Sequence, residues 1–330
     1  MARRTQTLFI GPALLLALTL SACTDDDTGD DEVADSTSSA DTTDATGTGT
    51  DTKGTGTDTT STSTDTTGTD TTSTDTTTDG GGLPPSPLCV WNQAYQENYE
   101  PDSVDAILAG AQGCYVLLDP FADEDARAAI PAIAAAGNIV GCYISVGTCE
   151  DWRDDFAQMQ GDCVDQQWGE WPGEYFVDTP GPGLVAAMNA RIDQMAAWGC
   201  DMVEFDNMDW AYDEDYRAQY GFTVSEAEAE AYVQGLCASV HGQGMWCMAK
   251  STARGAEGFE GGTFESYVDD LDWWEHAELQ GFLDGGGIGL IVHYDEVDCD
   301  GVYADYQASY GDKLSFICED PALQGYKHYN

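Results

Sequence analysis

Short runs of apolar and β-branched residues recur along the chain from Val90 onward, separated by stretches whose apolar positions return every three or four residues. The runs predict strands over 90–95, 114–119, 139–145, 174–178, 202–207, 245–250, 271–275, 289–294 and 314–318. Between them, Leu184, Met188, Ile192 and Met195 form a helical stripe closed by Gly199. Thr223 and Ser225 each stand three residues before a glutamate, the capping-box pattern that opens a helix, and Gly242 and Gly244 close it. Strands alternating with helices ask for a parallel sheet, and right-handed crossovers leave two arrangements, an open doubly wound sheet or a closed barrel. No glycine-rich phosphate loop follows an early strand. The expected fold is therefore α/β, a (β/α)8 TIM barrel. Nine runs are one more than a barrel needs, so one of the terminal runs is expected to be an extra or edge strand, or one run is no strand.

The first 82 residues lie outside this pattern. Arg3 and Arg4 precede an apolar run over 8–20, which ends in Leu20-Ser21-Ala22-Cys23. The run is too short to span a bilayer and has the form of an export signal. Small residues before a cysteine suit a lipoprotein signal peptidase, so residues 1–23 are expected to be a lipoprotein signal with Cys23 as the lipidated residue. An ordinary signal peptide cleaved nearby is the alternative. Residues 24–82 are nearly all Thr, Asp, Ser and Gly and cannot bury enough surface to offset the entropy of ordering, so they are expected to be a disordered tether. Residues 83–330 remain, enough for one barrel domain.

Composition sharpens the picture. Of 11 cysteines, ten fall outside the signal, an even number that in an exported protein predicts several disulfides without revealing their pairing. The net charge is −49; the tether holds 15 acids and one lysine and the signal two arginines, which leaves −37 on the domain. Such a field repels nucleic acid and attracts polycations. Four histidines without paired spacing, no CxxC and no GxSxG leave zinc chemistry and a serine nucleophile without support, and no cofactor or metal is expected.

Acids and polar groups repeatedly end the predicted strands: Asp119, Asp178, Glu204 with Asp206, Asn207 and Asp209, Lys250, and Glu275. In a barrel these ends converge on the face where active sites are built. Glu204 and Asp206 alternate with Val203 and Phe205, so both carboxylates face one side of the strand, an arrangement that raises one pKa and suits glycosidic cleavage by a carboxyl pair.

Four segments, CYISVGTCEDWRDDF (142–156), GEYFVDT (173–179), GCDMVEFDNMDWAY (199–212) and GFTVSEAEAEAY (221–232), closely resemble the endo-α-1,4-polygalactosaminidases, glycoside hydrolase family 114. The resemblance implies a (β/α)8 barrel that cleaves a cationic amino-sugar polymer. It places the first catalytic carboxylate on Asp206 and the second on Glu275, where Trp274 replaces the family's asparagine; Glu204 is expected to tune them. Asp119, Tyr143, Asp178, Asn207, Asp209, Lys250 and Tyr294 are the expected substrate-binding residues. The expected partners are this polysaccharide and, through the lipid on Cys23, a membrane, with the domain outside the cytoplasm. The competing readings are a polysaccharide-binding lipoprotein without turnover and a barrel glycosidase for another α-linked polymer. Replacing Cys23 by serine is expected to move the protein from the membrane to the soluble fraction; a Cys23→Ser variant that stays with membranes would remove the lipid anchor.

Overall fold

A computed structural model of the chain describes residues 87–95, 101–267 and 274–329. The predicted signal, tether and Cys23 lie outside them. In chain order the regular elements are β1 (Val90–Asn92), α1 (Val104–Gly110), β2 (Tyr115–Leu118), α2 (Glu124–Ala135), β3 (Ile139–Ser145), β4 (Thr148–Glu150), α3 (Phe156–Met159), β5 (Glu174–Phe176), α4 (Pro182–Trp198), β6 (Met202–Asp206), α5 (Glu214–Tyr220), α6 (Glu226–Gly242), β7 (Trp246–Lys250), β8 (Gly261–Tyr267), α7 (His276–Asp284), β9 (Ile288–Tyr294), α8 (Cys299–Tyr310), β10 (Leu314–Asp320) and β11 (Gly325–His328).

Eight of the strands, β1, β2, β3, β6, β7, β8, β9 and β10, run parallel in one sheet, and β11 adds antiparallel to β10. The sheet curls into a nearly closed barrel. Its two ends meet through side chains: the His328 ring on β11 stacks on Trp91 of β1 at 3.8 Å, and His328 Nδ1 donates to the Val90 carbonyl at 2.7 Å. Alternation along each strand sorts the core. Tyr115, Leu117, Met202, Met248, Leu290, Val292 and Ile317 fill the interior. Val116, Leu118, Val203, Phe205, Cys247 and Ala249 face the surrounding helices.

Local signals act as the sequence implies. Ser225 and Glu228 form the reciprocal capping box that starts α6, a device worth about 0.5–2 kcal/mol. The stripe Leu184, Met188, Ile192 and Met195 is buried along α4, which Gly199 ends in the left-handed conformation at φ 95°. The expected strands over 90–95, 114–119, 139–145, 202–207, 245–250, 289–294 and 314–318 fall on β1, β2, β3, β6, β7, β9 and β10.

Two expectations are corrected. The run over 174–178 is the extra strand: β5 pairs antiparallel with β4 in a separate two-stranded ribbon, Glu150 opposite Glu174. The strand expected over 271–275 is not the barrel strand. Residues 271–273 lie outside the described residues, and the barrel is completed by β8, ten residues earlier. β8 opens with Gly261-Gly262, which weakens its strand signature. The glycines answer to packing instead: a Cβ on Gly261 would lie 2.3 Å from the Ile288 carbonyl oxygen, and one on Gly262 would lie 2.8 Å from the Phe264 ring.

All ten domain cysteines pair: Cys89–Cys114, Cys142–Cys200, Cys149–Cys163, Cys237–Cys247 and Cys299–Cys318. Each bridge ties a strand or its flank to a nearby element; Cys237–Cys247, for example, fastens α6 to β7. Thiol titration of the denatured, unreduced domain is expected to find none of the ten free; several free thiols in the folded, exported protein would contradict this pairing.

Candidate active site

Charged and polar side chains collect at the C-terminal end of the barrel, directly above the apolar interior. Along β6, Met202 points into the barrel, and the same alternation sends Glu204 and then Asp206 inward at successively higher levels. Neighbouring strands supply Tyr143 from β3, Lys250 from β7, Glu265 from β8 and Tyr294 from β9, and Tyr95 comes from the segment after β1.

Lys250 is the hub. Its Nζ lies 3.2 Å from Asp206 Oδ2 and 3.2 Å from Glu265 Oε2, and it stands 4.1 Å from the Tyr95 ring centroid and 5.4 Å from that of Tyr143. Each carboxylate also receives one tyrosine hydroxyl: Tyr143 donates to Asp206 at 2.7 Å, Tyr294 to Glu265 at 2.7 Å and Tyr95 to Glu204 at 2.6 Å. Asp206 gains a further donor, the Asn207 backbone N–H at 2.8 Å.

Burial divides the three acids. The side chains of Asp206 and Glu265 keep 18% and 14% of their surface open, whereas Glu204 is 1% exposed. Burial pushes the Glu204 carboxyl up to about 7, with Asp206 adding to the rise while Lys250 and the Tyr95 hydroxyl oppose it. The neighbouring Thr263 hydroxyl also opposes the rise. Burial pulls the Lys250 ammonium down, but Asp206, Glu265 and Glu204 together hold it above its ordinary value, so it stays charged. Tyr143 and Tyr294 are raised well above the usual phenol value by burial and by the acids they serve, so both remain donors.

The geometry is that of carboxylates gathered around one lysine at the mouth of a barrel. The model of glycoside-hydrolase family GH114 matches residues 100–329. The chain belongs to this family. As a GH114 protein it is a glycoside hydrolase. Among solved structures it is similar to Aspergillus fumigatus Ega3, solved in complex with galactosamine, at 17% identity and a TM-score of 0.56 over 76% of this chain and all of that one. It is also similar to the glycoside hydrolase domain of PelA from Pseudomonas aeruginosa, at 16% identity and a TM-score of 0.48 over 71% of this chain and 94% of that one. No protein of curated function matches the sequence at a significant level.

Of the residues singled out from sequence, this GH114 site brings together Asp206, Glu204, Lys250, Tyr143, Tyr294 and Asn207. Three others do different work. Asp119 is buried in a bidentate pair with Arg153, at 3.0 and 2.8 Å, and so braces the barrel. Asp178 accepts from the backbone N–H and hydroxyl of Thr223, pinning one loop to another. Asp209 opens the short turn Trp210–Tyr212, and desolvation together with the nearby charge of Asp206 raises its carboxyl to about 6. Glu275 requires a correction: it is the exposed N-cap of α7, with extended backbone at φ −92° and ψ 123°, and the acid that meets Lys250 is Glu265.

Sequence reasoning missed Glu265, although Thr263, Glu265 and Tyr267 alternate with Phe264 and Ser266 in the two-residue period of a strand. Trp274 stands behind it, its indole donating to the Glu265 carbonyl at 2.8 Å. Tyr95 closes the predicted strand over 90–95, but nothing in its chemistry set it apart from the chain's other tyrosines. The cluster Cys237, His241 and Cys247 offers no metal site, because its two sulfurs are joined to each other.

Because Glu204 holds its proton more tightly folded than unfolded, the folded state binds more protons between the ordinary 4.5 and about 7, and stability falls as pH rises through that window. The thermal midpoint is therefore expected to decline between about pH 5 and pH 7, where Glu174, pushed up to about 8, and Asp209, to about 6, act in the same direction, and Glu204→Gln is expected to remove the Glu204 share of the slope. A variant that keeps the wild-type slope would show that Glu204 is not the group responsible.

Proposed function

We propose that the protein is an exported, lipid-anchored endo-acting glycosidase that cleaves α-1,4-linked, galactosamine-type polymer, with Asp206 as nucleophile and Glu265 as general acid. The observation that carries this reading is the sharing of Lys250 by two partly open carboxylates at the barrel mouth. Asp206 accepts from Lys250, Tyr143 and the Asn207 N–H, a donor set suited to a carboxylate that must stay ionised to attack the anomeric carbon. Glu265 faces it across Lys250 and would protonate the leaving oxygen. Glu204 has the raised pKa of an acid but lies too deep to touch a sugar, so it sets the charge around the pair.

Two oxygens each 3.2 Å from one nitrogen lie no further apart than twice that distance. This spacing of the nearest oxygens is compatible with the about 5–5.5 Å between retaining carboxyl groups, and with Asp206 as nucleophile cleavage is expected to proceed with retention. The substrate class is supported by the domain's charge of −37, counted above from the sequence, which draws a polycation toward the mouth. It is also supported by the galactosamine bound to the similar Aspergillus enzyme. The reading without turnover asked for a barrel that kept Asp206 but set no second carboxylate against it, and Glu265 supplies one.

On partly deacetylated α-1,4-galactosamine polymer, the wild type is expected to release reducing ends of retained configuration. Asp206→Asn and Glu265→Gln should each lower kcat by about 10³ or more with little change in KM, while Glu275→Gln stays near wild type. Loss of activity in Glu275→Gln with Glu265→Gln intact would reverse the assignment.

A further inference from the structure

Outside the reacting pair, one buried acid has no role in the mechanism above. Glu174 sits on β5, in the two-stranded ribbon that rises from the end of β3, and is 5% exposed. Its cross-strand neighbour is Glu150, and the two carboxylates fare differently. Glu150 takes Arg153 at 2.7 Å and Arg191 at 3.2 Å. Glu174 receives the Thr148 hydroxyl at 2.6 Å, and burial pushes it up to about 8.

From Glu174 a chain of hydrogen bonds runs back to the active site. Thr148 Oγ1 donates to Glu174 Oε2, Ser145 Oγ and Thr148 Oγ1 lie 2.5 Å apart, and Asn207 Nδ2 donates to Ser145 Oγ at 3.0 Å. A hydroxyl has one proton to give. Thr148 spends its proton on Glu174, so Ser145 must donate to Thr148, which leaves the Ser145 oxygen open to Asn207. The direction of the whole chain follows from Glu174 Oε2 accepting, which holds for the carboxylate and for a carboxyl whose proton sits on Oε1. Ser145 and Thr148 are both fully buried, so no water can substitute.

At the other end, Asn207 has left-handed backbone, φ 55°, and its N–H donates to Asp206 Oδ1 at 2.8 Å. That conformation is uncommon for a residue with a side chain and is kept where its surroundings over-determine it. The side-chain bond to Ser145 is one such constraint. Gly147 is the other: a Cβ there would lie 1.9 Å from the Asn207 carbonyl oxygen.

We propose that Glu174 is a positioning residue for Asp206, acting through Thr148, Ser145 and Asn207; the proposal rests on the reading of Asp206 as the nucleophile. The ribbon β4–β5 thereby becomes part of the catalytic apparatus, although neither of its strands belongs to the barrel. Glutamine at 174 still offers a carbonyl to Thr148 and preserves the direction of the chain. Leucine at 174, or valine at 148, removes the acceptor or the link and frees the Asn207 side chain.

The test compares the full-length wild type with Glu174→Gln, Glu174→Leu, Thr148→Val and the double variant Thr148→Val/Glu174→Leu. Two readouts are taken: kcat and KM on the galactosamine polymer, and hydrogen exchange at the Asn207 amide by NMR. Glu174→Leu and Thr148→Val are each expected to lower kcat by about 10- to 100-fold with KM within about twofold, and to speed Asn207 exchange by about tenfold. The double variant should be no worse than either single one, as expected for members of one chain, and Glu174→Gln should recover most of kcat. Additive losses, or wild-type kcat and exchange in Thr148→Val, would overturn the proposal. If Glu174→Leu does not fold, Thr148→Val, which keeps size and shape, carries the same expectation. If the wild type fails to cut the polymer, the catalytic reading falls separately, and Asn207 exchange in Thr148→Val alone decides the relay: faster exchange supports it and unchanged exchange ends it.

Discussion

The buried ammonium of Lys250 is the interaction on which the site depends. A cation 8% exposed at the top of an apolar barrel is tolerable only if it is compensated, and two carboxylates at 3.2 Å and the faces of two tyrosines do so. The compensation is mutual. Asp206, Glu265 and Glu204 would repel one another if all were ionised without Lys250, and burial pushes up the carboxyl of the deepest, Glu204. Removing one member of such a set leaves charges buried without a partner, so the cluster is held together by the cost of breaking it as much as by attraction.

The rest of the domain secures the strands that carry these groups. Five disulfides fasten strands and their flanks to neighbouring elements. A second ionic network, Asp119–Arg153–Glu150–Arg191–Asp155, runs through the loops beyond β2 and β3 and into α4. Its Glu150 lies opposite Glu174, the end of the hydrogen-bond chain that leads to Asn207, across the β4–β5 ribbon. Scaffold and site thus meet in a buried polar layer, where the loss of one group leaves its neighbours unpaired.

Much of this was legible in the sequence because it is local. Strand runs, the capping box at Ser225, the stripe along α4 and the inward pairing of Glu204 with Asp206 all follow from periodicities of two or of three to four residues, which depend on the backbone alone. The acids at strand ends announced a barrel mouth for the same reason, and the even count of ten cysteines announced disulfides. Family likeness added Asp206, whose motif lies within one strand and its turn.

What the sequence could not determine is which residues meet across the barrel. The second carboxylate, the choice of Glu265 over Glu275, depends on β8, whose opening glycines answer to the Ile288 carbonyl and the Phe264 ring and not to any strand preference of their own. Asp119, alike in pattern to Asp206, became a brace because Arg153, 34 positions away, folds onto it. The run at Glu174 has the look of a barrel strand, yet it pairs with β4 outside the sheet, and only that placement brings Glu174 within reach of Thr148. Chain periodicity sets which side of a strand a residue faces. The partner it finds there is decided by long-range packing, and burial, partner and pKa are decided with it.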